Sequence, residues 1–266
     1  MSATAISSGV PLRSVGDLLR RWRRQRRYSQ LALAFDAEIS PKHLSFVESG
    51  RAKPSRDMVL RLAERLEVPL RGRNTLLLAA GYAPAFQERA LEHPDLASVR
   101  QAVDIVLAGH EPYPALAVDR HWTLVAANKA VAPLLVGAAA SLLQPPVNVM
   151  RLALHPDGLA PRIANLAEWR AHLLARLRQQ AEHSADPVLE DLLGELRAYP
   201  TPVGVAGETT TTHMVVPFKL KAGDGVLSFI STTMIFGTPM DVTSSELAIE
   251  SFFPADEATA RALGST

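Results

Sequence analysis

A chain of 266 residues, 47% hydrophobic and 21% charged, carries enough apolar material for two cores and too much for a disordered polymer. It has no cysteine, which excludes disulfides, thiolate metal sites and thiol redox chemistry and fits a reducing cytosol. The net charge of +1 conceals an asymmetry: residues 1–80 hold 15 Lys and Arg against 7 Asp and Glu, and the other 186 residues hold 13 against 20. A polyanionic partner is therefore expected at the N-terminal end only.

Residues 1–13 read as a flexible arm. They lack the basic start and long apolar run of a signal peptide. No stretch reaches the roughly 20 apolar residues of a membrane span; the best, 130–143, is broken by Pro133, Gly137 and Ser141. A cytoplasmic protein without membrane contact is expected. From Ser14 to Ala80 the pattern is helical, in five amphipathic segments. The first covers 15–27, with Leu18, Leu19 and Trp22 apolar. The second opens at Ser29 and the third at Ser40, with Pro41 at its first position and Gly50 at its end. The fourth opens at Ser55, and the fifth runs over 70–80 and stops at Gly81. Residues 82–113, with Pro84, Pro94 and Pro112, form a connector containing one helix over 95–108.

After Pro114 the pattern becomes mixed. Short strands are expected at 115–119 and 123–127, around a turn at 119–122. Helices follow at 129–135, 146–154, 165–183 and 186–198. Residues 200–212, rich in Pro, Gly and Thr, form a loop. Strands at 213–221 and 226–236 are joined by the hairpin signal Gly223-Asp224-Gly225. A strand at 247–253 and a short helix close the chain. The fold class is α+β: an all-α five-helix domain over 14–81, then a domain with a small antiparallel sheet over 114–266.

The sharpest local signal is Ser29-Gln30, the segment Ser40-Pro41-Lys42-His43-Leu44-Ser45-Phe46-Val47-Glu48-Ser49-Gly50, and then Pro54-Ser55. At 100° per residue Leu44 and Val47 share a core-facing side, and Lys42, Ser45, Phe46 and Ser49 lie opposite. An aromatic edge on such a helix can pack on a thymine methyl, and Lys42 can reach a guanine edge or a phosphate; alternatively Phe46 packs on its own domain and Lys42 is merely solvated. His43 is counted with this group. Gln30 opens the second helix, where its amide and free backbone N–H groups can hold a phosphate. Ser49, Arg51 and Lys53 follow the third helix toward the flanking strand, and Arg56 is a further candidate. Over residues 15–80 the run resembles the xenobiotic-response-element type of helix-turn-helix, the group of the lambda-like repressors. That resemblance implies double-stranded operator DNA as partner, a phosphate contact for Gln30, and an Arg23–Glu48 ion pair that removes Glu48 from the base readers. One such helix reads too few base pairs for a unique site, so a homodimer on a palindrome is expected.

The second half carries Ala115-Leu-Ala-Val-Asp-Arg-His-Trp-Thr-Leu-Val-Ala-Ala-Asn128, then Asn148-Val-Met-Arg151-Leu-Ala-Leu-His155-Pro156, then Glu168-Trp169-Arg170. In this it resembles the ligand-binding half of the MmyB-like regulators. It departs from that pattern at Tyr199-Pro200 and the Thr-rich loop, where many members have Ser-Pro and a tryptophan. The resemblance implies a PAS-like fold with helices on one side of the sheet, and an apolar pocket for a fatty acid or acyl-derived ligand. Asn128, Asn148, Arg151, His155 and Trp169 are the ligand candidates, since a pocket needs a few polar groups among apolar ones. Each has a structural alternative: caps for the two asparagines, a pairing with Glu168 or Asp157 for Arg151, a helix end for His155, the core for Trp122 and Trp169. No metal site, cofactor or enzyme motif is present: there is no Gly-x-Ser-x-Gly, no phosphate loop and no paired metal-binding histidines. The rival to a ligand-responsive regulator is a DNA-binding protein whose second half only dimerises it.

Overall fold

The structure, a computed structural model, describes residues 14–200, 215–236 and 241–264. The expected N-terminal arm, all of the 200–212 loop except Pro200, and the first two residues of the strand expected at 213–221 lie outside these residues. The chain divides into two compact units between Gln87 and Glu88.

The first unit is five helices: α1 (Val15–Gln25), α2 (Gln30–Asp36), α3 (Pro41–Glu48), α4 (Arg56–Arg65) and α5 (Leu70–Ala79). Ser14, Ser29, Ser40 and Ser55 cap the first four. Each serine side chain accepts from the backbone N–H three residues on, satisfying a donor the helix leaves open. All five helices end alike. A left-handed residue follows (Arg27, Glu38, Gly50, Glu67, Gly81), and the next N–H reaches back to a carbonyl in the last turn, as in Tyr28 to Arg23 at 3.0 Å and Arg51 to Phe46 at 2.8 Å. This is the Schellman closure. Glycine signals it at only two of the five ends; Arg27, Glu38 and Glu67 carry no such signal.

Leu19, Leu33, Leu44, Leu62, Leu66, Leu76 and Leu77 form the fully buried centre of this unit. α1 crosses α3 closely enough that a Cβ on Gly16 would stand 2.5 Å from the Val47 carbonyl oxygen and 2.7 Å from that of Glu48.

The second unit holds α6 (Ala97–Gly109), β1 (Ala115–Val118), β2 (Leu124–Ala127), α7 (Val149–Leu154), α8 (Leu166–Ser184), α9 (Pro187–Ala198), β3 (Phe218–Ala222), β4 (Gly225–Ile235), α10 (Val242–Ser245), β5 (Ala248–Pro254) and α11 (Glu257–Gly264). The sheet is antiparallel, in the order β2-β1-β5-β4-β3. β5 enters between the two hairpins and joins them. α8 lays Trp169, Leu173, Leu177 and Ala181, four residues apart, against a core shared with Leu189, Leu192 and Leu196 of α9 and Phe218 and Phe229 of the sheet.

Helices cover both faces of the sheet, not one. Val103 and Leu107 of α6 pack on Ala115, Ala117 and Ile249. On the α8 side α11 adds Leu263 to the core, and its Thr259 hydroxyl accepts from Ser228 N at 2.9 Å. Small apolar residues at Ala115 and Ala117 permit that second layer, since alternate side chains point to opposite faces. Three other expectations change in detail. The helix expected at 129–135 is a single 3-10 turn, Ala132–Leu135, with Pro133 at its start. The one expected at 146–154 begins only at Val149, after Pro145 and Pro146, where Asn148 caps it. Among the described residues of the strand expected at 213–221, 215–217 lie outside it and the strand runs from Phe218, and α10 has no counterpart among the elements expected from the sequence.

The Gly16 contact is with backbone, which cannot swing aside. Gly16→Ala is expected to destabilise the first unit by about 1–3 kcal/mol, read as a lower urea midpoint in Trp22 fluorescence with little change in the second unit.

Candidate functional site

The orientation of α3 is set from beneath. Glu48, at its last turn, is buried (2% exposed) and takes a two-pronged hydrogen bond from Arg23 of α1: Nε to Oε1 at 2.6 Å and Nη2 to Oε2 at 2.9 Å. Gln30 Nε2 of α2 donates to Oε2 at 2.7 Å. Arg20 donates to the Glu48 carbonyl at 2.6 Å, and Arg23 Nη1 to that of Tyr28 at 2.9 Å. One carboxylate thus ties three helices together. Burial pushes the Glu48 carboxyl up, but hydrogen bonds from Arg23 and Gln30 and the charges of Arg23 and Arg20 hold it below the usual glutamate value.

This leaves one face of α3 outward. Lys42, Ser49, Arg51, Lys53 and Arg56 are exposed, and His43, Ser45 and Phe46 are half-buried. Two cations approach the Phe46 ring, Lys42 Nζ at 5.8 Å and Arg51 Cζ at 5.9 Å from its centroid. The turn after α3 folds back on it, because the Phe46 carbonyl accepts from Arg51 N and Ala52 N. Lys53 Nζ sits 5.3 Å from the Tyr82 ring centroid, whose hydroxyl donates to the Pro54 carbonyl at 3.0 Å. Tyr82 has no signal in the local sequence, since it lies beyond α5 and meets Lys53 only through the fold. Gln30 keeps its place at the start of α2, with its amide already joined to Glu48.

In the second unit two candidates prove to be backbone fasteners. Asn128 is buried; its Nδ2 donates to the Leu107 and Tyr113 carbonyls at 3.1 and 2.8 Å, and its Oδ1 accepts from Ala115 N at 3.1 Å. Asn148 caps α7 through Met150 N and Arg151 N and donates to the His121 carbonyl at 2.8 Å. Arg151 grips Glu195 of α9 with contacts of 2.7–3.0 Å, so its internal acid is Glu195 and not Glu168 or Asp157. The side chain is not buried (45% exposed); it bridges two helices at their surface. Tyr199 donates to the same carboxylate at 2.6 Å, and the His155 ring packs edge-on to Tyr199 at 5.1 Å. Burial and the Glu195 carboxylate push the Tyr199 hydroxyl up to about 12, and the Arg151 hydrogen bond holds Glu195 below its usual range. Trp169 lies in the core beside His172 and Phe218.

A second polar group reaches that core. Glu250, in the central strand β5, is 4% exposed and accepts from Arg176 of α8, Nη1 to Oε2 at 2.9 Å; Arg176 Nη2 also donates to the Thr233 hydroxyl at 2.7 Å. The guanidinium stands 4.6 Å from the centroid of a Trp122 ring. Trp122 has φ +65°, unusual for a bulky side chain, and its indole N–H is held by Gln180 Oε1 at 2.7 Å. His172, one turn before Arg176, is pushed below its usual value by burial and by Arg176. The signal for this cluster was a lone glutamate between Ile249 and Ser251, in a strand otherwise mostly apolar.

Two outcomes test these assignments. Glu48→Ala should cost the first unit about 3–5 kcal/mol, the cost of stranding a buried charged partner. Because the folded-state carboxyl is held low, the pair's contribution is full above the ordinary glutamate value of 4.5 and is lost as pH falls through the lowered value; urea unfolding at pH 7 and at pH 3 reads both. Asn128→Ala leaves two carbonyls and an N–H without their partner, and should lower the stability of the second unit by about 1–3 kcal/mol in Trp122 and Trp169 fluorescence.

Comparison with known families agrees with this division. Residues 19–72 match the helix-turn-helix family, and residues 99–265 match the family described as the MmyB-like transcription regulator ligand binding domain. These are regulator families, not enzymes. No curated protein matches the chain. One solved structure, described as "Structure of an RNA-binding Light-Oxygen-Voltage Receptor", is 14% identical, with 94% of this chain and 62% of that one covered and a TM-score of 0.28; so slight a superposition carries no argument. The capped helices held by Glu48 and the α+β unit that follows them in the sequence are two parts of one regulator: the chain belongs to the MmyB-like transcription regulators, with a helix-turn-helix DNA-binding domain preceding its ligand-binding domain.

Proposed function

We propose that the chain binds a palindromic operator as a homodimer, reading bases with Lys42, Ser45 and Phe46 and gripping phosphates with Arg51, Lys53 and the start of α2. The observation that carries this reading is the Glu48 lock, which turns the Lys42–Phe46–Arg51 cluster outward. His43, Ser49 and Arg56 extend the same basic rim. Gln30 contributes its remaining amide hydrogen, since Glu48 takes the other. The ligand is a fatty acid or acyl derivative, its chain among Trp169, Phe218, Phe229 and Phe252 and its polar end toward His172, Arg176 and Thr233. Those rings already pack on one another at 5.1–6.3 Å, so a chain entering there has to part them; what supports an apolar occupant is the apolar make-up of this core beside a few polar groups. The alternative, a second half that only dimerises, draws support from Asn128, Asn148 and Arg151 all being engaged within the fold. The charge asymmetry of the chain and its lack of cysteine fit a cytoplasmic protein that meets DNA at one end.

The test begins with a duplex selected from a random pool by the wild-type protein. Lys42→Ala and Phe46→Ala should each cost about 1–3 kcal/mol on the selected duplex and relax its sequence preference. Lys53→Ala should weaken selected and random duplexes alike and reduce the salt slope by about one. Unchanged discrimination by Phe46→Ala would return Phe46 to a packing role. Native mass spectrometry, with denaturing release of any bound molecule, separates the ligand reading from plain dimerisation. A ligand-free dimer whose duplex affinity does not respond to saturated fatty acids would favour the latter.

A further inference from the structure

The helix-turn-helix match ends at residue 72, yet the first unit runs on to Gln87. The segment after α5 folds back on that unit and is held along its length. Gly81 takes a left-handed turn (φ +82°), which lets Tyr82 N return to the Leu77 carbonyl at 2.9 Å. Asn74 of α5, nine-tenths buried, accepts from Ala85 N and Phe86 N at 3.0 and 3.1 Å and donates to the Phe86 carbonyl at 2.7 Å. Arg73 Cζ stands 5.9 Å from the centroid of the Phe86 ring. Tyr82 lies between these anchors, half-buried, and its hydroxyl donates to the Pro54 carbonyl at 3.0 Å.

What Tyr82 meets is the loop between α3 and α4. Pro54 is buried and directly precedes Ser55, the cap of α4; Lys53, on its other side, is exposed. The Lys53 ammonium lies over the Tyr82 ring, 5.3 Å from its centroid, and a Cβ on Gly81 would stand 3.4 Å from it. An exposed lysine samples many rotamers and gives up that freedom when it grips a phosphate. The ring removes part of the freedom beforehand. An ammonium carries three N–H donors, so it can rest one side on the ring face and donate to a phosphate oxygen from another.

We infer that Tyr82, outside the matched helix-turn-helix, is a positioning residue for DNA binding: its ring holds Lys53 in place for a phosphate beside the recognition helix. This rests on the reading of Lys53 as a phosphate contact, and the experiment separates the two. Affinity for the selected duplex is measured on the full-length wild type, Lys53→Ala, Tyr82→Leu, Tyr82→Phe and the double variant Tyr82→Leu with Lys53→Ala. Tyr82→Leu is expected to weaken binding about two- to fivefold, the range of an exposed cation–ring contact, and Tyr82→Phe, which keeps the ring, by less than about twofold. With Lys53→Ala already present, Tyr82→Leu should cause no further loss. A residue that only packs would cost the same in both backgrounds, since independent sites add. Equal cost in both backgrounds, no cost in either, or equal losses from the leucine and phenylalanine variants overturns the role of Tyr82 alone. Lys53→Ala with unchanged affinity overturns the phosphate reading and this inference with it. Urea unfolding followed by Trp22 fluorescence shows whether each variant keeps the first unit folded. Should Tyr82→Leu unfold it, the wild type carries the test by NMR: the Lys53 ε-methylene signals should lie upfield of those of the other lysines, both free and on the duplex. Unshifted signals overturn the inference.

Discussion

A single buried carboxylate organises the DNA-binding end of this protein. A charge as deep as that of Glu48 is tolerated only when paired and fully hydrogen-bonded. Arg23, Gln30 and the backbone contact from Arg20 meet that demand from two different helices. Their convergence fixes the roll of α3 about its axis. The roll decides that Leu44 and Val47 face inward and that Lys42 and Phe46 face out. A hydrophobic core of leucines tolerates small rotations of a helix; a bidentate arginine does not. The geometry of the candidate reading surface is therefore inherited from an ion pair on its opposite side.

The second unit repeats the device with a different purpose. Its sheet is closed by β5, which pairs with β1 on one side and β4 on the other. Placing Glu250 in that strand brings a charge to the centre of the domain, where Arg176, Thr233 and the Trp122 ring answer it. The result is a polar island at the edge of an aromatic core. Trp122 adopts a backbone conformation that bulky residues avoid, and strain of this kind persists only where surrounding contacts enforce it. Here they are the Gln180 hydrogen bond and the Arg176 cation.

The two halves also divide the chain's charge. Base and phosphate contacts call for the cationic head, and an acidic body avoids competing for the same polyanion. The surface ion pair between Arg151 and Glu195 belongs to the body's framework. Both groups are more than a third exposed, so screening leaves it worth little to stability; its effect is to fix α7 against α9.

Where chemistry is local, the sequence determined the outcome by itself. The four serine caps, the proline opening α3, the glycines after α3 and α5, and the apolar spacing of α8 each act within a few residues and are readable as such. The helix-turn-helix pattern and its outward residues follow from them, as does the alternation of the strands. Tertiary structure alone decided which partner each long polar side chain found. Arg151 chose Glu195, 44 positions away, over the nearer Asp157, because α7 and α9 pack side by side. Asn128 met a carbonyl of α6 and a carbonyl and an N–H of the 113–115 stretch, and so became a fastener. Arg176 and Glu250, 74 positions apart, came together only because β5 lies in the middle of the sheet and not at its edge. A side chain's reach exceeds the range over which sequence spacing carries information. What it touches is set by how the elements cross, and that depends on the packing of the whole core.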